Sequence, residues 1–358
     1  MYFLVPARLG FFAFFPLFFP LNSIRNPNFA MLPDQTPDFP SRLDLSELHE
    51  AAARIRTEIG KVIIGQHALI DLLLTALLAD GHVLLEGVPG VAKTLMAKLL
   101  AKTVSIDFSR IQFTPDLMPA DVLGTSVYNP RTSDFEFKQG PIFANLVLID
   151  EINRAPAKTQ SALFEVMEER QITNSGTTYP MSAPFVVLAT QNPIEQEGTY
   201  RLPEAQLDRF LFKLLVGYPS LEEEVRILEG HHERRAADPT ATVQPVLTGE
   251  QVAALRGRVR QVVCEPKVLE YMARLVQETR RSKSLYLGAS PRASVALLNA
   301  SKALAALRGR DFVTPEDVQE LAAPVLRHRF ILTPEREMEG TTADEVVGQL
   351  LQKVEVPR

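Results

Sequence analysis

The chain has 358 residues, more than a typical single domain, so we expect two domains and a large buried core. Its net charge of −5 argues against a protein that binds nucleic acid non-specifically through a basic surface. The single cysteine, Cys264, excludes an intramolecular disulfide and fits a reducing compartment, and the six histidines lack the spacing of metal ligands.

Residues 1–42 are predicted to be a poorly defined N-terminal extension. The Phe-rich run 11–21 is apolar but contains two prolines, and it is far shorter than the ~20 residues of a membrane-spanning helix. A signal peptide is conceivable, with Arg8 ahead of the run. Because ordinary polar sequence begins after Met31, we expect Met31 to be the initiator, with a weak membrane tether as the alternative.

Two helical patterns follow, the first from Leu43 with apolar residues at Ile55, Ile59 and Ile63, and the second over 68–78. An apolar run, 83–85, then leads into Gly-Val-Pro-Gly-Val-Ala-Lys-Thr at 87–94, and a third helical pattern begins at Leu95. A strand, a glycine-rich loop, Lys-Thr and a helix form the layout of a P-loop, whose backbone N–H groups and helix N-terminus bind phosphate.

The P-loop layout assigns roles to individual residues. Lys93 is expected to reach the β- and γ-phosphates of a nucleotide, and the Thr94 hydroxyl to bind Mg²⁺. Ala92 stands where a second glycine is expected, which costs little if its φ is negative. The predicted nucleotide-binding residues are Gly87, Val88, Pro89, Gly90, Val91, Ala92, Lys93, Thr94 and Leu95.

A second chemical signal lies about 57 residues further on, where the apolar run 145–149 ends in Asp150 and Glu151. The run reads as a buried parallel strand, and such strands end at the ligand crevice. Asp150 therefore suits a Mg²⁺ ligand, and Glu151 suits the group that orients and deprotonates an attacking water. A site of this kind belongs with cytosolic ATP, so a cytoplasmic location is expected.

Three further polar residues fit the same chemistry. Asn192 follows a strand and is positioned to polarise the water with Glu151, although Asn-Pro also begins ordinary turns. Arg209 precedes a strand and either stabilises phosphoryl charge in a neighbouring subunit or forms a surface salt bridge with Asp208 or Glu204. Arg292 follows the predicted N-cap Ser290, where either a nucleotide phosphate or a local Glu offsets its charge.

The alternation of strands and helices predicts a parallel sheet covered on both faces. Its five strands are expected near 83–86, 108–113, 146–150, 185–190 and 212–216. Two hairpins, over 126–140 and 171–179, are inserted and either engage a substrate or only decorate the fold. The expected domains are an α/β domain over 43–218, a helical domain over 219–332 without strands, and a polar C-terminal segment over 333–358 with a short helix near 346–351.

Taken together, these motifs resemble the AAA+ ATPases, and more closely their MoxR family. The runs Asp150–Ala155 and Leu202–Phe210 are the most specific, and the resemblance spans roughly 43–330. It implies a P-loop NTPase domain of three α/β/α layers with a five-stranded parallel sheet, followed by an all-α lid. It also implies Walker A at 87–94, Walker B at 150–155, Asn192 as sensor 1, Arg209 as arginine finger, Arg292 as sensor 2, and Gly65 and Gln66 near the adenine.

The resemblance further implies ATP and Mg²⁺, a homo-oligomeric ring that is hexameric, a partner with a von Willebrand factor A domain, and a chaperone-like role on a protein client. The expected catalytic residues are Glu151, Asn192, Arg209 and Arg292, and the expected metal ligands are Thr94 and Asp150. Nucleic acid and an intrinsic membrane association are not expected. A nucleic-acid motor, a magnesium-chelatase-like subunit and a nucleotide-gated scaffold without turnover remain as alternatives.

Overall fold

A computed structural model of the protein describes residues 43–192, 200, 202–234 and 238–357. Residues Arg42–Arg358 form one compact unit. The interpretation of Met31 and of the Phe-rich run concerns residues outside the described part. Within the described part, no helix is both long and apolar enough to cross a membrane.

Helices and strands alternate along the first part of the chain. In chain order they are α1 (Ser46–Gly60), α2 (His67–Leu78), β1 (His82–Gly87), α3 (Lys93–Thr103), β2 (Phe108–Gln112), α4 (Pro119–Leu123), β3 (Gly124–Asn129), β4 (Asp134–Gln139), β5 (Leu146–Asp150), α5 (Ala157–Glu169), β6 (Gln171–Asn174), β7 (Thr177–Pro180), β8 (Val186–Gln191), α6 (Glu204–Leu207) and β9 (Phe210–Val216).

The second part is mainly helical. It contains α7 (Leu221–Arg234), α8 (Gly249–Arg260), α9 (Pro266–Arg281), β10 (Leu285–Leu287), α10 (Pro291–Leu307), α11 (Pro315–Leu326), β11 (Ile331–Leu332), α12 (Pro334–Met338) and α13 (Ala343–Lys353). The expected absence of strands is wrong, because β10 and β11 pair antiparallel. Strands of two and three residues are too short for a period-two pattern to reveal them.

The five predicted strands form one parallel sheet in the order β2-β5-β8-β1-β9. Because all five run in the same direction, their ends define two edges of the sheet. We call the end formed by Gly87, Gln112, Asp150, Gln191 and Val216 the carboxyl edge. The end formed by His82, Phe108, Leu146, Val186 and Phe210 is the amino edge.

Both faces of the sheet are buried, which confirms the predicted three-layer α/β/α arrangement. Leu84, Val147 and Ile149 belong to a core cluster that includes Phe164 of α5. Their neighbours Leu85 and Leu148 point the other way, into the larger cluster that includes helices α1, α2 and α3. This alternation explains why strands such as β5 read as continuous apolar runs.

The larger core cluster continues into the helical part. Helix α10 lies at its centre and packs against α1, α2, α8, α9 and α11. The C-terminal helix α13 buries Val346, Val347 and Leu350 and packs against α9 and α11. The predicted short C-terminal helix is therefore part of the packed helical layer.

Both predicted hairpins are present, β3 with β4 and β6 with β7. Their aromatic rings meet, since Phe137 of the first and Tyr179 of the second stack with their centroids 4.6 Å apart. Near the tip of the first hairpin, Tyr128 and Phe135 form an edge-to-face pair at 5.4 Å. These two rings are 52% and 67% exposed, so the tip presents aromatic surface to the solvent.

Candidate functional site

A cavity of about 410 Å³ opens at the carboxyl edge of the sheet. Residues 89–95 of the loop between β1 and α3 form one wall. The opposite wall consists of Arg110, Gln112, Asp150, Glu151, Thr190 and Asn192, from the ends of β2, β5 and β8. The loop and the strand-end residues that the sequence singled out therefore meet around one space.

The shape of the loop depends on small residues. A Cβ at Gly87 would lie 2.4 Å from the carbonyl oxygen of Val216, so only glycine allows β1 and β9 to approach this closely. Gly90 has a φ of +88°. Ala92 has a φ of +59°, so the condition under which alanine would cost little at this position is not met. This alanine carries left-handed strain of about 1–2 kcal/mol that a glycine would avoid.

Lys93 is the first residue of α3, and its side chain reaches back to the loop. Its Nζ donates to the backbone carbonyl oxygens of Gly87 and Val88, the latter at 3.2 Å. Burial lowers the pKa of Lys93, while the carboxylates of Asp150 and Glu151 oppose that shift. A partly buried ammonium bonded to carbonyls, at a helix N-terminus without a side-chain cap among the described residues, is a strong site for an anion.

Asp150 is 7% exposed and is held from two sides. Its Oδ1 accepts a hydrogen bond from Thr190 Oγ1 at 3.2 Å, and its Oδ2 accepts one from Arg110 Nε at 2.6 Å. Because both oxygens have donors, the carboxylate is fixed in orientation at the floor of the cavity. The Arg110 guanidinium provides the positive charge that this buried carboxylate requires.

Glu151 follows immediately in a left-handed conformation with a φ of +57°. Its backbone N–H donates to Thr190 Oγ1 at 3.0 Å. Its Oε2 accepts from Gln112 Nε2 at 2.6 Å and pairs with Arg154 Nε at 3.0 Å. The left-handed turn separates the two successive carboxylates, and one threonine hydroxyl bonds to both residues.

Sequence reasoning missed Arg110, Gln112 and Thr190. Arg110 and Gln112 are two residues apart and therefore share a face of β2, and Gln112 is the register partner of Asp150. The sequence did contain a signal, because Arg110 and Gln112 are polar and alternate near the end of a predicted strand. Their contact with Asp150 and Glu151 depends on β2 lying beside β5, and the sequence did not give the order of the strands in the sheet.

The oxygen atoms at the cavity suit the coordination of a magnesium ion that also binds a nucleotide. Thr94 and Asp150 both line it, and they supply a hydroxyl and a carboxylate oxygen. In the described part of the chain, no group of three or more His, Cys, Asp and Glu side chains is arranged around a metal site. Magnesium commonly takes one or two protein ligands and completes its shell with phosphate and water oxygens.

Asn192 lies one residue beyond β8 and lines the cavity together with Thr190, as the sequence predicted. Gly65 and Gln66 do not line this cavity. They have φ values of +68° and +54° and precede α2. A Cβ at Gly65 would lie 1.9 Å from Glu223 Oε1, so this segment lies against the start of α7.

Arg209 and Arg292 lie elsewhere. Arg209 immediately precedes β9, at the amino edge, and its Nε is 3.4 Å from Glu168 Oε2. Arg292 Nη2 donates to the other oxygen of Glu168 at 2.8 Å. Six residues of β1 separate the two edges, a distance of about 20 Å at ~3.3 Å per residue. The structure therefore brings the two arginines together but not to the cavity of their own chain.

Within one chain, both arginines contact the carboxylate of Glu168. The partner of Arg209 is Glu168 rather than the expected Asp208 or Glu204. Arg292 pairs with the same glutamate, which is 124 residues away in the chain and is therefore not the local Glu that was one option. Ser290 caps α10 as predicted, because its Oγ accepts from the Arg292 backbone N–H at 3.2 Å.

The residue before Arg209 is bonded to two side chains of the helical part. Asp208 accepts from Arg329 Nε at 2.9 Å and from Ser290 Oγ at 2.8 Å. Arg329 is 8% exposed, and burial lowers its pKa to about 10 while Asp208 opposes that shift. A buried ion pair thus fixes the segment next to Arg209 against the helical part.

Comparisons with known proteins agree with this geometry. Residues 82–212 match the model of the "ATPase family associated with various cellular activities (AAA)", and residues 277–350 match an AAA lid domain. Uncharacterized protein YeaC of Bacillus subtilis (strain 168) is 49% identical, with 87% of this chain and 96% of that protein covered.

Two further relatives extend the similarity. Chaperone MoxR1 of Mycobacterium tuberculosis (strain ATCC 25618 / H37Rv) is 46% identical, covering 84% of this chain and 81% of its own. A crystal structure from Cytophaga hutchinsonii ATCC 33406, described as a candidate ATPase, is 42% identical. It superposes with a TM-score of 0.81 over 88% of this chain and 97% of that one.

Proposed function

The chain belongs to the MoxR family of AAA+ ATPases, and we propose that it hydrolyses ATP with Mg²⁺ at the contacts between subunits of a homo-oligomeric ring. In this proposal the ring is hexameric and cytoplasmic, and it remodels a protein client as a chaperone. A protein with a von Willebrand factor A domain serves as its partner. The observation that carries the proposal is the cavity that joins the P-loop to Asp150, Glu151 and Asn192.

ATP binding follows from the groups that face this cavity. Backbone N–H groups of residues 90–93 and the N-terminus of α3 bind the phosphates, and Lys93 exchanges its carbonyl partners for phosphate oxygens. Thr94 and Asp150 would hold Mg²⁺, which supplies charge neutralisation on the β- and γ-phosphates. Most of the catalytic effect in phosphoryl transfer is positioning and charge stabilisation, and the residues that line this cavity provide both.

The water that attacks the γ-phosphate is assigned to Glu151 and Asn192. Glu151 accepts its proton, and the Asn192 amide orients it. The Glu151 carboxylate contacts Gln112 and Arg154 through the same oxygen, Oε2, so these contacts position the side chain while its other oxygen accepts the proton.

Arg209 and Arg292 act in trans in this proposal. They lie at the amino edge, about 20 Å from the cavity of their own chain at ~3.3 Å per strand residue, so neither reaches its own γ-phosphate. A neighbouring subunit that turns its amino edge toward the carboxyl edge would deliver both guanidinium groups. Arginine supplied in this way neutralises the charge that develops on the transferred group.

The β3–β4 hairpin is assigned to the client. Its tip exposes Tyr128 and Phe135, which are large and form an edge-to-face pair, and the stacking of Phe137 on Tyr179 joins it to the second hairpin. Exposed aromatic side chains at such a tip suit apolar segments of a polypeptide. The acidic composition of the chain supports a protein client over nucleic acid.

Replacing Glu151 by glutamine tests the proposal. The variant should bind ATP with wild-type affinity but hydrolyse it about 10²–10⁴-fold more slowly, since only the proton acceptor is lost. Glu165 on α5 is exposed, and Glu165→Gln is the matched control that should hydrolyse normally. Hydrolysis at the wild-type rate by Glu151→Gln would show that the assigned base is wrong.

The same variant identifies partners. Held with ATP, Glu151→Gln should retain a von Willebrand factor A protein together with its client, and the wild type with ADP should release both. Recovery of nucleic acid instead would favour a motor.

A further inference from the structure

A second cavity, of about 240 Å³, lies where the end of α2 meets α8 and α10. It is separate from the nucleotide cavity, because the two share no lining residue. We call it the basic cavity, and its polar lining residues are Asp80, Arg256, Arg260, Asn299 and Lys302. Pockets for drug-sized molecules begin at about 300 Å³, so this cavity suits a small ion or a single polar group rather than a whole nucleotide.

The spacing of residues along two helices places the cations of the basic cavity together. Arg256 and Arg260 are four residues apart and share a face of α8, and Asn299 and Lys302 are three apart on α10. The two helices pack against each other, so the two faces meet at the cavity. Like charges four residues apart destabilise a helix. An anion bound between α8 and α10 would offset that repulsion.

Arg256 has a buried hydrogen-bond donor that the protein does not satisfy. Its side chain is 7% exposed, its Nε donates to the carbonyl oxygen of Leu77 at 2.8 Å, and its Nη1 lies 2.7 Å from Asp80 Oδ1. Its Nη2 is buried and has no hydrogen-bond partner among the described residues. A buried guanidinium N–H without an acceptor costs free energy, so such an atom indicates that an acceptor from outside the chain belongs beside it.

Positive charge exceeds negative charge at the basic cavity. Asp80, the one carboxylate among its lining residues, already pairs with Arg256 and lies 3.4 Å from Arg170 Nη2. The C-terminal ends of α2 and α8 add about half a negative charge each. Together these charges do not balance the cations Arg256, Arg260 and Lys302. Burial lowers the pKa of Arg256, Asp80 opposes that shift, and the like charges of Arg170 and Arg260 add to it.

We propose that the basic cavity binds a phosphate group, either inorganic phosphate or the phosphate of a small monoester. Two guanidinium groups and an ammonium line it, and these are the groups that bind phosphate oxygens through charge-assisted hydrogen bonds. Lys302 Nζ donates one N–H to the carbonyl oxygen of Arg260 at 2.9 Å, which leaves two for a ligand. A phosphate held here contacts α8 and α10 beside the end of α2, and it therefore joins the helical part to the α/β part.

Titration calorimetry of inorganic phosphate into the full chain tests this site. The protein is first saturated with Mg²⁺ and a non-hydrolysable ATP analogue, so that the P-loop is filled, and potassium chloride holds the ionic strength constant. The wild type should bind one phosphate per chain. Lys302→Met and Arg260→Met should each weaken binding by about tenfold or more, as expected for a lost charge-assisted hydrogen bond, and Lys302→Arg should retain most of it. Lys283 is exposed and lies outside the cavity, so Lys283→Met is the matched control that should bind normally.

Binding of the ATP analogue separates a lost site from a misfolded protein. Lys302→Met also loses its bond to α8, so a variant that no longer binds the analogue is set aside, and the exposed Arg260 then decides through Arg260→Met. Glycerol 3-phosphate distinguishes the two sources, because tighter binding than that of inorganic phosphate identifies a monoester and weaker binding identifies the free ion. Phosphate binding that either folded variant leaves unchanged would overturn the inference. No phosphate binding by the wild type at millimolar concentrations, with or without binding of succinate, would overturn it as well.

Discussion

Arg110 competes with a metal ion for Asp150, so replacing it with alanine should raise the affinity of the nucleotide-bound protein for Mg²⁺. The guanidinium Nε lies 2.6 Å from Asp150 Oδ2, and the other oxygen is already bonded to Thr190. A metal that binds this carboxylate competes with the guanidinium for Oδ2 and is repelled by its positive charge. The cost of weakening the ion pair is subtracted from the binding free energy of the metal.

The size of the effect follows from the exposure of the pair. The Arg110 side chain is 51% exposed and that of Asp150 is 10% exposed, so the pair lies between a surface and a buried salt bridge. Solvent screening limits its contribution to about 1 kcal/mol, the upper end for exposed pairs. Removing that contribution corresponds to an approximately fivefold lower Kd for Mg²⁺.

Titration calorimetry of Mg²⁺ into protein saturated with ADP measures this Kd directly, and binding of ADP without metal is measured in parallel. Arg110→Lys keeps the charge and should change the Kd less. Arg131→Ala removes an exposed arginine on the β3–β4 hairpin and should change nothing. An unchanged or weaker affinity for Mg²⁺ in Arg110→Ala would refute the competition and would mean that Arg110 supports the bound nucleotide.

Three further predictions concern stability, each measured by urea unfolding. Ala92→Gly should stabilise the protein by about 0.5–1 kcal/mol, because it relieves a positive φ; destabilisation by a similar amount would show that φ is negative in solution. Burial lowers the pKa of His82 to about 3, below the value near 6.5 expected when unfolded, so the folded state binds fewer protons. The free energy of unfolding should therefore fall by up to about 1.4 kcal/mol per pH unit as the pH drops below 6.5. His82→Gln should show a smaller dependence of this free energy on pH, and an equal dependence in both proteins would contradict the role of His82. Asp208→Ala leaves the buried Arg329 without its partner and should cost about 3–5 kcal/mol, whereas Glu339→Ala at an exposed pair should cost almost nothing; equal effects would contradict the role of that buried pair.

The sequence predicted the sheet and the residues that meet at its carboxyl edge because both depend on local rules. Buried parallel strands read as apolar runs, and the chemistry follows where each run ends. Lys93, Asp150 and Asn192 each lie within a few residues of a strand end, so the parallel direction of the strands alone brings them together. Strand order was not needed for that prediction.

Features that depend on distant partners were not predictable in the same way. Arg110 and Gln112 gain their meaning only because β2 lies beside β5, which places a guanidinium and an amide on two carboxylates about 40 residues away. Arg292 and Glu168 are 124 residues apart. The φ of Ala92 is set by the loop around it, since alanine alone prefers a negative value.

Helix α5 explains why the two groups of functional residues fall at opposite edges. It begins shortly after Glu151 at the carboxyl edge and ends at Glu169 at the amino edge, next to the Glu168 that holds both arginines. Its 13 residues span about 20 Å at ~1.5 Å each, which matches the depth of the sheet. This helix therefore separates Glu151, the proposed base, from the two arginines within each chain. A chain built in this way contributes half of the proposed site at each edge, so only contact between subunits brings the base and the arginines together.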